Sequence, residues 1–347
     1  MFELIRELAP HIDELVKKSE KILISLHVGA DYDSIGSALG LAEIVKSLGK
    51  NVLVFSTQPL NNDLKNNQQY LAGFSEIQIC NFSDINLNGF DLFICPDSEQ
   101  TTRISLSDKI SFPLLIPTLV IDHHPENTKF GNINLVIPNG TCTSEIVYRL
   151  AKECNWPIPA STATSLFVGL WADTGQFMYP GSTTLETFRT AADLIELGKI
   201  NFTELIWNLK STDDRVIRTA GMVLTRAEEK FHKKVLLVNL NFDDLSKLNL
   251  DNGYLDSVKE FIVHNLSYTR GPSIIALIYE KGDNWYKVSL RSNNLSDLRD
   301  VDKIVRKFEN GGGHHRAAGA DVKKPYSEVK ELVIQAIYQT YPELGQP

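Results

Sequence analysis

Cysteine is scarce in this 347-residue chain, which has four, at Cys80, Cys95, Cys142 and Cys154. None forms a CxxC pair or a zinc-ribbon spacing, so a thiolate zinc module is excluded, and they read as the buried free thiols of a cytosolic protein. Long hydrophobic runs are also missing. The longest, 234–240 and 273–279, fit buried strands and fall far short of a membrane span. The opening stretch MFELIRELAPHIDELVKKSEK carries too many charges for a signal peptide and reads as an amphipathic helix. The expected location is therefore the cytoplasm, with no membrane partner. A basic surplus is absent too. The net charge of −8 argues against tight binding of long nucleic acid, while a few local cations could still hold a small anionic substrate. Low-complexity tracts and internal repeats do not occur.

The length fits two domains rather than one. In the first half short apolar strands alternate with helical stretches: strands at 21–26, 51–55, 90–95 and 114–121, helices at 34–48 and 144–153, and a helical or extended run at 162–171. That alternation predicts an α/β fold with an N-terminal doubly wound, mainly parallel sheet. Residues 183–197 and 201–230 carry helical periodicity. Beyond them, strands at 235–240, 273–279 and 286–290 and helices at 254–265 and 301–308 predict a smaller C-terminal α+β domain. The expected layout is a catalytic domain over 1–190, a helical linker over 191–232 and a substrate-binding domain over 233–342.

Four of the apolar runs stop at groups that bind metals. They deliver His27, Asp31 and Asp33 (LHVGADYDS), Asp97 (LFICPDS), Asp122-His123-His124, and Asp173 (GLWADTGQF). An apolar run stopping at an acid or imidazole reads as a buried strand opening onto a site, and ligands gather at such carboxyl ends in parallel sheets. Taken singly, each piece has an ordinary explanation. Asp97-Ser98 is a helix cap, Asp173-Thr174-Gly175 a turn, and the other two are polar loops. Recurrence after successive runs points instead to one shared site. Asp31 and Asp33 would repel strongly if buried without cations. Carboxylate and imidazole ligands without thiolate favour manganese, magnesium or iron over structural zinc. Four carboxylates with neutral histidines balance two divalent cations in formal charge, which suits hydrolysis at phosphorus.

The DHH triplet, the upstream HxxxDxD, the downstream ADTGQF and the terminal GGGHHRAAG together resemble the DHH phosphoesterase superfamily with its DHH-associated domain. They span residues 21–319. Size and layout are similar to the nanoRNase/pAp phosphatase group and its dinucleotide-hydrolysing relatives. The resemblance implies two divalent cations, with manganese the expected ion and magnesium, cobalt or iron as alternatives. His27 and Asp31 would hold one, Asp33, His123 and Asp173 the other, and Asp97 would bridge them. His124 would contact the phosphate, which makes His124 and Asp97 the catalytic pair. Arg291, Ser292 and His314 would grip phosphate or base, and Gly311, Gly312 and Gly313 would let backbone N–H groups approach an anion. The first loop departs from the family's Asn/Pro-rich turn, yet Gly29-Ala30 keeps the spacing, and Tyr32 is expected to shape the nucleobase side. Arg103 reads equally as a site residue or a surface charge.

The implied substrates are a short oligonucleotide, a dinucleotide or pAp, cleaved to nucleoside monophosphates. A cyclic di-AMP phosphodiesterase is the rival enzyme reading, and a nucleotide-binding sensor without catalysis the non-enzyme one. A RecJ-type exonuclease lacks a counterpart here for its extra nucleic-acid-binding domain, and a family II pyrophosphatase lacks the GGGH partner. Oligomeric state is not readable, and the resemblance leaves room for a homodimer.

Overall fold

The computed structural model describes residues 2–138, 140–179, 182–293 and 297–346, with the side chain of His314 outside the described set. The chain forms two compact units, Met1–Lys210 and Ser211–Pro347. The first runs α1 (Glu3–Lys18), β1 (Lys21–Ser25), α2 (Tyr32–Ser47), β2 (Asn51–Ser56), α3 (Asn62–Asn66), β3 (Gln78–Ile79) and β4 (Leu92–Pro96). It continues through β5 (Thr118–Asp122), β6 (Ile133–Val136), α4 (Thr143–Glu153), α5 (Ala160–Asp173), α6 (Leu185–Gly198) and α7 (Phe202–Lys210). All strand pairs are parallel, in the order β3-β2-β1-β4-β5-β6.

Both faces of this sheet are covered, which is why KILIS and TLVID are apolar almost throughout. Ile22, Ile24, Ile94, Leu119 and Ile121 enter the core under the helices. The alternating Leu23, Phe93, Cys95 and Val120 enter a second core on the opposite face. There Phe55, Phe82 and Phe93 cluster with ring centroids 5.8 to 6.2 Å apart. Strand β1 pairs with β2 on one side and β4 on the other. The strand order therefore reverses between β1 and β4, where their carboxyl ends open a crevice.

The second unit runs α8 (Asp214–Leu224), β7 (Glu228–Lys230), β8 (Val235–Leu240), α9 (Phe242–Ser246), α10 (Leu255–Leu266) and β9 (Ile274–Gly282). Then follow β10 (Trp285–Ser292), α11 (Asp302–Val305), β11 (Gly312–His314), β12 (Ala317–Lys323) and α12 (Tyr326–Thr340). Its mixed sheet has the order β11-β12-β10-β9-β8-β7, with only β8 and β9 parallel among the described pairs. Helices α8 and α10 cover one face and α11 and α12 the other. The helical stretch over 191–232 is shared out by its apolar stripes. Ala191, Leu194, Leu205 and Leu209 pack on the first unit's core, whereas Val216, Ala220 and Val223 pack on the second's.

Two helices of the first unit cross at unusually close range. A Cβ on Gly36 of α2 would stand 2.6 Å from the Ser165 carbonyl oxygen of α5, and one on Gly40 would stand 2.6 Å from Leu166 Cδ2. The crossing brings the start of α2 beside the end of α5, where Asp33 and Asp173 sit. Helix propensity alone would make Gly36→Ala stabilising by about 1 kcal/mol. Here the new methyl meets backbone, and overpacking of this kind costs about 1–3 kcal/mol. Gly221 in α8 is exposed, with open space where a Cβ would go. Thermal denaturation should therefore show Gly36→Ala lowering the unfolding midpoint and Gly221→Ala leaving it unchanged or raised. Equal effects would refute the close-crossing account.

Candidate active site at the carboxyl edge of the parallel sheet

Each group arrives on a separate element. His27 lies two residues beyond β1. Asp31 caps α2, its Oδ1 accepting from the N–H groups of Asp33 and Ser34. Asp33 sits in that helix's first turn. Asp97 directly follows β4, in a left-handed conformation (φ 53°) that aspartate tolerates better than most residues. Its N–H donates to the Ile121 carbonyl at 2.9 Å, tying it to the neighbouring strand. Asp122 ends β5, with His123 and His124 just beyond.

Asp173 departs from the strand-end expectation, because it is the last residue of helix α5. The run leading to it is apolar on nearly all sides since the helix is buried all round, so periodicity could not separate helix from strand. ADTGQF is the stop signal of that helix. Gly175, Gln176 and Phe177 all have positive φ, and the Thr174 hydroxyl accepts from the Phe177 N–H at 3.0 Å. A Cβ on Gly175 would lie 2.5 Å from the Tyr179 ring.

These groups converge. Three overlapping triplets each place one ligand atom per residue within 4.8 Å of the others: His27, Asp31 and Asp97; Asp33, His123 and Asp173; and Asp97, His123 and His124. Asp97 belongs to two of them. His27 Nε2 is 3.3 Å from Asp97 Oδ2, and His123 Nε2 is 3.7 Å from both Asp97 Oδ1 and Asp173 Oδ2. His27, Asp33 and Asp97 are 2 to 3% exposed, whereas the Asp31 side chain is 64% exposed.

The two histidines of the triplet differ in their second ring nitrogen. His123 Nδ1 faces the Gly140 carbonyl oxygen at 3.3 Å, and His27 Nδ1 faces that of Val28 at 2.9 Å. With Nδ1 turned to a backbone carbonyl, Nε2 of each ring faces the cluster, where a cation would displace its proton and take the lone pair, as in metal-ligating histidines. His124 instead turns Nδ1 to the buried Asp122 carboxylate at 2.8 Å, whose other oxygen accepts from Asn127 Nδ2 at 2.7 Å. Arg103 reaches the site, with Nη2 3.1 Å from His27 Nδ1. Tyr32 turns into the fold, its hydroxyl accepting from Asn67 Nδ2 at 2.8 Å.

Two groups here were not singled out by sequence. The N–H groups of Thr143 and Ser144, opening α4, donate to the two oxygens of Asp33 at 2.7 and 2.9 Å. The Thr143 hydroxyl donates to Asp97 Oδ1 at 3.0 Å. A polar pair at a helix start resembles any other helix start, so the sequence carried no signal for this role.

In the second unit, Arg291 and Ser292 end β10, and Ser292 Oγ accepts from the Arg299 N–H at 2.9 Å. The glycine run is ordered strand rather than flexible connection, as Gly312 and Gly313 pair with Gly319 and Ala318. A Cβ on Gly311 would stand 1.7 Å from the Val305 carbonyl oxygen, and one on Gly313 would stand 2.6 Å from that of Ala317, so close backbone approach demands both glycines. Gly312 has open space around it. The side chain of His314 lies outside the described residues.

Burial, then the charges of Asp97 and Asp173, push the Asp33 carboxyl up to about 8. Burial, with Asp31 and Asp97 nearby, pushes Asp173 up to about 6 despite His123. Asp97 goes the other way. Burial opposes its ionisation, but the hydrogen bond from His27 and the charges of His27, His123 and His124 hold it well below the usual carboxylate range. Burial also works against a charged His124, yet Asp122 and Asp97 carry it up to about 10. Raised carboxyl groups give stability that is present at low pH and lost as pH rises through their folded values. Chelator-treated protein should therefore lose thermal stability from about pH 4, near the ordinary carboxyl value, to about pH 8, as first Asp173 and then Asp33 reach their folded values. A divalent cation held by the ionised carboxylates should stabilise more at pH 8 than at pH 6. Scanning fluorimetry with and without manganese tests this, and Asp33→Asn should flatten the slope of the chelated protein.

Comparison with known proteins fits this geometry. Residues 21–170 match the model of the DHH family, N-terminal domain, and residues 245–341 that of the DHHA1 domain. The chain is 28% identical, over 96% of its length and 94% of the relative's, to the bifunctional oligoribonuclease and PAP phosphatase NrnA of Thermus thermophilus. It is 26% identical to the Bacillus subtilis protein of the same name, over 87% and 90% of the two chains. The crystal structure of an exopolyphosphatase-related protein from Bacteroides fragilis shares the fold, with a TM-score of 0.85, 23% identity and 98% of both chains covered. Among the described residues, no helix is long and apolar enough to cross a membrane. With the two matches in this order, the chain carries a DHH-family N-terminal domain in its first unit and a DHHA1 domain in its second.

Proposed function

We propose that this protein hydrolyses phosphoester bonds in short oligonucleotides or dinucleotides, releasing nucleoside monophosphates, and removes phosphate from pAp. The observation that carries the reading is the sharing of Asp97 between triplets, in a chain whose full-length relatives are named for these two activities. Those names favour linear substrates and pAp over a cyclic dinucleotide. His27 and Asp31 would hold one divalent cation and Asp33, His123 and Asp173 a second, with Asp97 between them. The donor set fits, because oxygen and imidazole ligands without thiolate suit manganese or magnesium, and the burial and repulsion that raise Asp33 are what a cation would offset. When bound, such cations supply Lewis acidity toward a phosphoryl oxygen and acidify water.

The chain's own residues do the rest. His124, kept protonated by Asp122, donates to a phosphoryl oxygen and counters the charge that builds as water adds to phosphorus and the ester P–O bond breaks. Asp122 and Asn127 fix the plane of that ring. In the second unit Arg291, Ser292, Gly312, Gly313 and His314 bind phosphate or base. The acidic overall charge suits short substrates.

Chromatography of products from a linear dinucleotide, pAp, a cyclic dinucleotide and pyrophosphate, with a metal screen, tests the assignment. Manganese-dependent release of nucleoside monophosphate from the linear dinucleotide is expected, and Asp97→Ala should abolish it. Undiminished turnover in Asp97→Ala would refute the proposal.

A further inference from the structure

Residue Thr143 is fully buried and touches both halves of the acidic cluster. Its N–H donates to Asp33 Oδ2 at 2.7 Å, and its hydroxyl donates to Asp97 Oδ1 at 3.0 Å. Asp33 and Asp97 belong to different triplets, and Asp97, like His123, is shared by two of the three. Among the described residues Thr143 supplies the only hydroxyl bonded to Asp97. The helix it opens is itself anchored, since the preceding Cys142 caps α4 with Sγ accepting from the Glu145 N–H. Neither Thr143 nor its neighbour Ser144, whose N–H reaches Asp33 Oδ1 at 2.9 Å, has any exposed surface.

We infer that Thr143 is a positioning residue that sets the separation of Asp33 and Asp97, and through it the spacing of two cations; this rests on the two-cation reading above. The argument is one of degrees of freedom. Asp97 hangs on a left-handed residue just past a strand, and burial allows its carboxylate few partners. His27 holds Oδ2, while on Oδ1 both histidines stand 3.7 Å away, beyond hydrogen-bond range. The Thr143 hydroxyl is thus the group that fixes Oδ1. Because the same residue's N–H fixes Asp33, one rigid helix start references both carboxylates to a common frame. A hydrogen bond to a ligating carboxylate orients it and is normally required for full metal affinity.

The substitution that isolates this is Thr143→Val, which removes the hydroxyl, keeps the shape and leaves the backbone N–H on Asp33. Calorimetric titration of manganese into chelator-treated full-length protein should give two equivalents for the wild type. Low-temperature electron paramagnetic resonance should then show an exchange-coupled pair. In Thr143→Val, affinity should fall roughly 10- to 100-fold, the usual effect of losing an outer hydrogen bond to a ligand, and the coupled signal should give way to that of isolated ions. Thr143→Ser should restore both. Wild-type affinity and coupling in Thr143→Val, even with a lowered unfolding midpoint, would overturn the inference and leave Thr143 a packing residue. If the valine variant does not fold, Thr143→Ala read in the same titration decides in the same way. A wild type that takes up no manganese would sink the two-cation reading itself, a failure seen without any variant.

Discussion

Mutual repulsion among buried aspartates governs the carboxyl edge of the first unit. Asp33 and Asp173 have oxygens within 4.8 Å of each other. At such a range, with an effective dielectric of about 20, two full charges repel by about 3 kcal/mol, a sizeable part of the 5–15 kcal/mol that holds a typical fold together. The local architecture can be understood as the means of bearing this. Asp33 has its two oxygens on the start of α4, where N–H groups and the helix dipole favour an anion. Asp97 has three histidines around it. Asp31 accepts two N–H groups at the start of α2 and lies mostly in solvent.

Bearing the charges also requires that helices approach closely. Gly36 and Gly40 are spaced to share one face of α2 and let α5 lie against it, and Gly169 on α5 leaves room for Ser144 and Asp33. A Cβ on Gly169 would stand 2.2 Å from Ser144 Oγ and 3.1 Å from Asp33 Oδ1. Packing and electrostatics are therefore one problem at this point. Methyl groups that would raise helix propensity would separate the elements that bring the acids together.

Most of the candidate cluster was legible because short, continuous apolar runs stop abruptly at polar residues, and β1, β4 and β5 do this without ambiguity. Asp173 was legible as a residue but not as a helix end, since α5 is buried on nearly every side and hides its period. Arg103 could not be placed from sequence, because its approach to His27 depends on how the segment after β4 folds back onto the β1 loop. Thr143 was invisible for a different reason. One of its two contacts is made by its N–H, a group every residue but proline possesses, so its identity reveals only the hydroxyl contact. The glycine run has a packing role that its sequence does not display. Gly311 and Gly313 are demanded by backbone contacts within the second unit, which leaves Gly312 as the position whose glycine packing does not explain.

The four acids do not depend equally on an added countercharge. Asp33 faces a helix start, and Asp97 has histidines and a hydroxyl. Asp173 sits at the carboxyl end of α5, where the helix dipole disfavours an anion, and only His123 and His124 oppose the burial and the charges of Asp31 and Asp97. Nothing in the helix itself would keep it there. The left-handed turn through Gly175, Gln176 and Phe177, clamped by Thr174, stops α5 at Asp173 and prevents the carboxylate from swinging out with a fraying end. On this argument the DTG segment answers the electrostatics. Where the protein cannot neutralise a charge, it restrains the backbone that carries it, and so keeps Asp173 beside Asp33 and His123 for a cation to join.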